Sequence, residues 1–178
     1  MRANIYFIKL EFRNKINFIK PGKKNIPKTL VETPNYLSQA KDWKMRTDLD
    51  RSVKIPKYII DTNKRPDIIL FSDAAKKLGM IELTVPREDR VEVSGEGKKS
   101  KYQFIVTEAE RRGWSTQLWT IEVGCRGFPA ASVGRMFNDL GVRGNKKQQI
   151  LKQIAAETEA ASAVLWKGHK MKVWKTLN

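Results

Sequence analysis

The sequence contains a single cysteine, Cys125, and a single histidine, His169. One cysteine excludes an internal disulfide, and one histidine excludes a zinc centre built on histidine ligands. A chain without disulfides fits a reducing compartment, so we expect an intracellular protein. No apolar run approaches the roughly 20 residues that a membrane-spanning helix requires. The apolar run Ile5–Ile8 is also too short for the core of a signal peptide, and we therefore expect no membrane partner.

Acidic residues are scarce, and their distribution along the chain is uneven. The chain carries 35 Lys and Arg against 19 Asp and Glu, a formal net charge of +16. Basic residues outnumber acidic ones 14 to 5 over residues 1–60 and 10 to 3 over residues 126–178, but the two are equal, 11 and 11, over residues 61–125. A neutral centre between two basic segments is typical of a surface that binds a polyanion such as DNA or RNA. Solvated basic faces alone would give the same distribution.

The apolar pattern predicts an α/β chain in three parts: a basic N-terminal arm (1–35), a core (36–125) and a basic C-terminal helical extension (126–178). In the core it predicts a helix from Asn35, an interrupted strand over Val53–Ile60, strands over Asp67–Phe71, Gly79–Val85 and Gln117–Val123, and a helix over Lys98–Arg112. Two further helices are predicted over Pro129–Leu140 and from Asn145 to about Trp166, the second with Ile150, Ile154, Ala161 and Leu165 facing inward. Gly113 and Gly141 are expected to follow the ends of two of these helices.

Two carboxylates interrupt the apolar strands of the predicted core. Asp67 begins one strand and Glu82 lies within the next, with a short hairpin between them. A carboxylate within an apolar run is costly to bury unless a cation meets it. Mg²⁺ or Mn²⁺ held by two such carboxylates could serve phosphodiester chemistry. The alternative is that Asp67 belongs to a turn and that Glu82 points outward from a half-exposed strand.

The spacing of these residues resembles a family motif. Arg65-Pro66-Asp67, then 14 residues, then Glu82-Leu83-Thr84 resembles the PD-(D/E)XK pattern of restriction-endonuclease-like nucleases. The run Lys98-Lys99-Ser100-Lys101-Tyr102 resembles the KxxKY element in the restriction-like endonuclease domain of non-LTR retrotransposons. The resemblance covers residues 36–125. It implies an αβββαβ core, a mixed central sheet flanked by helices, to which this chain would add two extra C-terminal helices.

The resemblance also implies roles for individual residues. Asp67 and Glu82 would be the metal ligands, and Lys98 or Lys101 would replace the motif lysine, because Thr84 stands where that lysine is expected. Contacts to nucleic acid are expected from Arg65, Lys99 and Tyr102, and also from Arg126, which lies outside the resemblance in the Gly-rich turn Gly124–Gly127. A basic first helical turn exposed to solvent would also account for the two lysines.

The implied activity is a Mg²⁺-dependent DNA endonuclease of mobile-element origin that works in the nucleus, with a reverse transcriptase as partner or parent polyprotein. The retrotransposon domains carry a nearby Cys/His zinc knuckle that this chain cannot build, so the chain resembles a detached endonuclease module. A non-catalytic nucleic-acid-binding domain of the same fold is the main alternative. A basic structural or ribosome-associated protein is a third, which rests on charge alone. The sequence leaves open the target site, the choice of DNA or RNA and the oligomeric state.

Overall fold

The computed structural model describes residues 34–48 and 54–169. Its strands are β1 (Lys44–Thr47), β2 (Ile68–Ser72), β3 (Lys77–Thr84), β4 (Ser115–Gly124) and β5 (Phe128–Pro129). Its helices are α1 (Val91–Arg111), α2 (Ala131–Asp139) and α3 (Gly144–His169), with 3-10 turns at Leu37–Gln39 and Glu88–Arg90. The predicted N-terminal arm lies outside the described residues, apart from its last two positions. No helix in the described part of the chain is long and apolar enough to cross a membrane.

The strands form one mixed sheet in the order β1-β2-β3-β4-β5. Neighbouring strands are antiparallel except for β3 and β4, which are parallel and are joined by α1. Such a parallel pair needs a long crossover connection, and the helix supplies it. The α/β class predicted from the sequence is therefore confirmed.

Each face of the sheet has its own apolar core. The face that packs against α1 contains Ile55, Ile59, Ile60, Ile69, Phe71, Leu78, Met80, Tyr102, Ile105, Ala109 and Trp114. The opposite face packs against α2 and contains Leu70, Ile81, Trp119, Ile121, Val123, Val133 and Met136. Alternate residues of β2, β3 and β4 thus enter opposite cores, as the two-residue period of a strand requires. We call the first of these the α1 face.

The helix predicted from Asn35 is wrong. Residues 37–39 form a single 3-10 turn, and the chain is extended again at Ala40. Asn35 and Ser38 exchange hydrogen bonds that close this turn, and the Trp43 indole donates to the carbonyl of Leu37. The aromatic and apolar spacing in this segment therefore serves packing against the sheet, not a helical stripe.

The strand predicted over Val53–Ile60 is also wrong within the described residues. The segment after residue 53 is a buried turn in which the carbonyl of Pro56 accepts hydrogen bonds from the amides of Ile59 and Ile60. The strand beside β2 is instead β1, whose Lys-Met-Arg-Thr sequence is mostly exposed. β1 is an edge strand with mostly polar, exposed side chains. Its sequence therefore lacks the apolar alternation by which a strand is predicted.

Helix α1 begins seven residues earlier than predicted, at Val91 instead of Lys98. It therefore includes Gly95 and Gly97, which precede the predicted start. Its end agrees with prediction, since Gly113 follows the helix with a φ of +82° that favours glycine. As a consequence Lys98 lies in the helix interior, and the alternative of a basic first turn is wrong.

The C-terminal extension belongs to the same sheet and core in the described residues. Strand β5 pairs with β4, and two residues of α2 are buried against the sheet. Helix α2 begins at Ala131, because Pro129 lies in β5, and Gly141 follows its end with a φ of +82°. Helix α3 begins at Gly144, so Asn145 lies inside it. Its predicted inward positions divide: Ile150 and Ile154 are half-buried, whereas Ala161 and Leu165 are exposed.

Candidate functional site

Asp67 and Glu82 lie on the same face of the sheet. The antiparallel register pairs Ile68 with Ile81, so the next pair in that register is Asp67 and Glu82. Asp67 lies two residues before Ile69, and Glu82 lies two residues after Met80, so each acid points to the same side as that neighbour. Ile69 and Met80 belong to the core of the α1 face. The side chains of both acids are therefore directed to the α1 face. The alternative in which Glu82 points outward is excluded, because Glu82 is only 3% exposed.

The carboxylate of Asp67 is held at the entrance to β2. Its Oδ2 accepts a hydrogen bond of 2.7 Å from the amide of Leu83, and its backbone carbonyl accepts one of 2.9 Å from Asp48. Partial burial of the carboxyl group raises the pKa of Asp67, and the Glu82 charge adds to this. The Leu83 hydrogen bond and two lysine side chains oppose the rise. The aspartate is therefore fixed in position, and its burial disfavours the charged form.

The two oxygens of the Glu82 carboxylate have different surroundings. Oε1 lies 2.5 Å from Nζ of Lys98 and 3.7 Å from Nζ of Lys101. Oε2 is buried and has no hydrogen-bond partner. A buried acceptor without a partner is costly, and most such groups in folded proteins are satisfied. Glu82 therefore has one oxygen available to a further donor or cation.

Helix α1 places the two lysines beside Glu82. Lys98 lies on its inward stripe, three residues after the buried Gly95 and four before the buried Tyr102. Lys101 lies beside that stripe and is more exposed; its Nζ is 3.2 Å from the Tyr102 hydroxyl and 4.7 Å from the centre of that ring. The structure thus brings together four of the predicted site residues: Asp67, Glu82, Lys98 and Lys101.

The role predicted for Tyr102 as a nucleic-acid contact is wrong. Tyr102 is 0% exposed and belongs to the core of the α1 face. Its hydroxyl donates a hydrogen bond of 2.9 Å to the carbonyl of Arg65, and burial together with the Glu82 carboxylate raises its pKa. Tyr102 therefore anchors the segment that leads into Asp67, and nucleic acid cannot reach it.

The other predicted nucleic-acid contacts lie on the surface. Lys99 is exposed on the outer side of α1, and the Arg65 guanidinium lies 3.9 Å from Asp48. Arg126 follows the end of β4, and 79% of its side chain is exposed. The single cysteine, Cys125, is half-buried with its Sγ 3.9 Å from Glu88.

Sequence reasoning missed Glu122, a buried acid on β4. Glu122 pairs in the parallel register with Thr84, whose Oγ1 is buried without a partner. Oε2 of Glu122 accepts a hydrogen bond from Ser132 near the start of α2. A Cβ added to Gly95, near the start of α1, would lie 2.6 Å from Oε1 of Glu122. The Ser132 side chain and the close approach of α1 at Gly95 thus enclose this carboxylate. The signal was its position in the apolar run Ile121–Val123, which is the pattern that identified Glu82.

Among the described residues, no group of three or more His, Cys, Asp and Glu side chains could hold a metal ion. The acids near Lys98 and Lys101 are therefore the pair Asp67 and Glu82.

Comparison with known proteins does not identify the chain. No protein-family model matches the sequence, and no curated protein matches it significantly.

Proposed function

We propose that this chain is a metal-dependent endonuclease domain that hydrolyses phosphodiester bonds in DNA. The observation that carries the proposal is the pair Asp67 and Glu82 on the α1 face, with one buried Glu82 oxygen that has no partner and two lysines beside the other. A buried carboxylate oxygen without a partner requires an explanation, and a catalytic role or a bound ion supplies one.

The donor set fits a hard divalent cation such as Mg²⁺ or Mn²⁺. Mg²⁺ takes oxygen ligands and is commonly held by one or two carboxylates together with water and substrate phosphate. Glu82, through Oε2, and Asp67 would hold it, and its charge would satisfy both the orphan oxygen and the partly buried aspartate. When bound, such an ion lowers the pKa of a coordinated water and neutralises charge on the phosphodiester.

The lysines would have separate tasks. Lys98 forms the short ion pair with Glu82, so it would hold that carboxylate in position. Lys101 is farther from Glu82 and more exposed, so its ammonium group would be available to a substrate phosphate. Thr84 carries no charge, so its hydroxyl could contribute hydrogen bonds but not the charge of an ammonium group.

The order of elements supports the same fold as the motif. Strands β1, β2 and β3, then α1, then β4 follow the strand–strand–strand–helix–strand part of an αβββαβ core. The first helix of that core has no counterpart in the described residues, where a 3-10 turn precedes β1. Mobile-element origin, a reverse-transcriptase partner or parent polyprotein, and a nuclear site of action belong to this proposal through the resemblance alone.

Nicking of supercoiled plasmid with Mg²⁺ or Mn²⁺ tests the proposal. We expect the wild-type chain to nick, and Asp67→Ala and Glu82→Ala to lose at least a hundredfold in rate. Asp89→Ala, at an exposed acid in the connection after β3, is the matched control and should nick normally. Equal rates for all four proteins, or no metal-dependent nicking by the wild type, would reject the proposal.

A non-catalytic nucleic-acid-binding domain of the same fold is the second candidate. Thr84 favours it, because threonine cannot supply the charge of the motif lysine, and the closed Lys98–Glu82 ion pair favours it as well. Isothermal titration calorimetry separates the two functions. Mg²⁺ or Mn²⁺ binding that is lost in Asp67→Ala supports the nuclease, whereas DNA binding without metal binding supports the second candidate.

A further inference from the structure

The turn between β4 and β5, residues 124–128, is fixed to the connection that leaves β3. The amide of Cys125 donates to the carbonyl of Pro86 at 2.9 Å, and the amide of Arg126 donates to Oε1 of Glu88 at 2.9 Å. Pro86 and Glu88 follow directly after the strand that carries Glu82. The position of the turn is therefore tied to the acid-bearing strand.

Helix α3 fixes the same turn from another side. Gly127 has a φ of +83°, and a Cβ at this position would lie 2.5 Å from the backbone carbonyl oxygen of Ala155 in α3. A Cβ on Gly124 would lie 2.9 Å from the Glu88 carboxylate. Only glycine fits at Gly127, because of the backbone conformation and the backbone contact, whereas a side chain at Gly124 would have to displace the end of the Glu88 side chain. The turn is thus held rigidly by its main chain.

The side chains that this rigid turn displays do not contribute to its own packing. Phe128 is 63% exposed and belongs to neither apolar core. The Arg126 guanidinium is mostly exposed, and its ion pair with Glu88 is long, at 3.9 Å. The turn therefore presents an aromatic ring and a cation to solvent within three residues of each other.

The register of β5 places Phe128 on the same side of the sheet as the acids. Phe128 is the direct partner of Gly124 in an antiparallel pair, and such partners direct their side chains to the same face. Gly124 lies two residues after Glu122 on β4, so the two positions are on the same face. Glu122 contacts α1 at Gly95, so that face is the α1 face. The turn also follows the carboxyl end of β4, and β3 with Thr84 ends at the same edge.

We infer that the turn formed by residues 124–128 is a stacking platform for an unpaired base of the nucleic-acid substrate. Phe128 would stack on the face of the base, and Arg126 would contact a neighbouring phosphate. This inference rests on the proposed function for its class of ligand. A duplex hides the faces of its bases, so the substrate would be single-stranded DNA or a duplex with an unpaired segment. A ring on a rigid turn loses little conformational entropy when a base binds.

Fluorescence anisotropy in EDTA, where no metal-dependent cleavage occurs, tests the inference with a labelled single-stranded oligonucleotide and the blunt duplex of the same sequence. Phe128→Ala should weaken binding to the single strand about tenfold, within the range of one lost stacking contact. It should change binding to the duplex less than twofold. Phe104→Ala is the matched control, since Phe104 is 69% exposed on α1, and it should change neither affinity by more than twofold.

Phe128→Trp adds a control for folding, because it keeps an aromatic face and should retain single-strand affinity within about threefold. The inference is overturned if Phe128→Ala binds the single strand as well as Phe104→Ala does, if both ligands weaken equally, or if the wild type binds neither. These outcomes do not depend on the plasmid result. An anisotropy result that rejects the stacking platform says nothing about the metal site at Asp67 and Glu82. A chain that fails to nick plasmid can still be compared for stacking on Phe128.

Discussion

At the scale of single residues, the informative feature is the asymmetry of the Glu82 carboxylate. One oxygen has a short ion pair with Lys98, and the other is buried without a partner. A fold built for stability alone would satisfy both oxygens, because an unpaired buried acceptor costs about 1–3 kcal/mol. The ion pair is therefore a poor source of stability, and its value lies in holding the carboxylate in place.

Removal of the Lys98 charge should destabilise the chain. Lys98→Met leaves the buried Glu82 with the more distant Lys101 as its cation, so we expect a loss of about 1–3 kcal/mol in the free energy of unfolding. Lys99→Met removes an exposed charge from the next position and should change stability by about 0.5 kcal/mol or less. Urea unfolding followed by circular dichroism measures both. Equal stabilities would show that the Lys98–Glu82 pair is not formed in solution.

The raised pKa of Asp67 predicts a pH dependence. The folded state favours the protonated acid, so this group's contribution to stability is present below its ordinary pKa of 3.8 and is lost as pH rises through its folded pKa. Asp67→Asn keeps an acceptor for Leu83 but does not titrate. Its stability relative to wild type should therefore increase as pH rises from about 3 to 6, measured by chemical denaturation without divalent ions. A pH-independent difference would contradict the shift.

At the scale of elements, the position of α1 over the sheet depends on a glycine contact. Gly95 is buried, and Glu122 on β4 occupies the space that a side chain there would need. Glycine is normally unfavourable in a helix interior, by about 1 kcal/mol relative to alanine. The sequence tolerates this cost at Gly95 because the close approach sets the depth of the helix, and Lys98 lies one turn farther along the same stripe.

Two glycine-to-alanine substitutions in α1 separate helix propensity from this contact. Gly97→Ala meets no atom within 4 Å and should stabilise the chain by about 0.5–1 kcal/mol. Gly95→Ala must displace the buried Glu122 carboxylate, so it should be less stable than Gly97→Ala by about 1–2 kcal/mol. Thermal unfolding of both variants against wild type provides the comparison. Equal stabilisation by both would show that α1 does not approach β4 at Gly95.

At the scale of the whole molecule, the excess of positive charge governs association. A net charge of +16 attracts any polyanion, and all of the excess lies outside the neutral segment that carries the acids. Among the described residues, Arg65, Lys99 and Arg126 add exposed cations on the elements next to the acids. We therefore expect the electrostatic attraction of nucleic acid to be distributed over the surface, and the proposed reaction to be confined to the acids Asp67 and Glu82.

The salt dependence of DNA binding should separate local cations from distant ones. The logarithm of the association constant should fall linearly with the logarithm of the salt concentration. Lys99→Ala, next to Lys98 on α1, should reduce the magnitude of this slope by about one. Lys152→Ala, at an exposed position of α3, should leave the slope unchanged. Anisotropy titrations from low to high salt measure the slopes, and equal slopes for both variants would place the DNA elsewhere.

Much of the sheet could be predicted from the sequence, and the failures have specific causes. The apolar runs of β2, β3 and β4 identify those strands because helices cover both faces of the sheet. β1 is polar and has no such run, so the sequence pattern does not predict this strand. The aromatic spacing at Tyr36 and Trp43 imitates a helix, although those rings pack against the sheet. The predicted start of α1 is too late because helix propensity disfavours Gly95 and Gly97; tertiary contact requires glycine at Gly95, and Gly97 has open space around it.

The sequence by itself determined that Asp67 and Glu82 lie at or within two neighbouring strands, because apolar runs identify those strands; the register and the burial of Glu82 in the structure decided that both acids face α1. The sequence also determined that Lys98 and Tyr102 share a helix face, because they are four residues apart. Only the tertiary structure decided which groups are buried: it removed Tyr102 from the surface, left one Glu82 oxygen without a partner and brought Glu122 beneath α1. Burial depends on how closely one element approaches another, and no local period in the sequence encodes that distance.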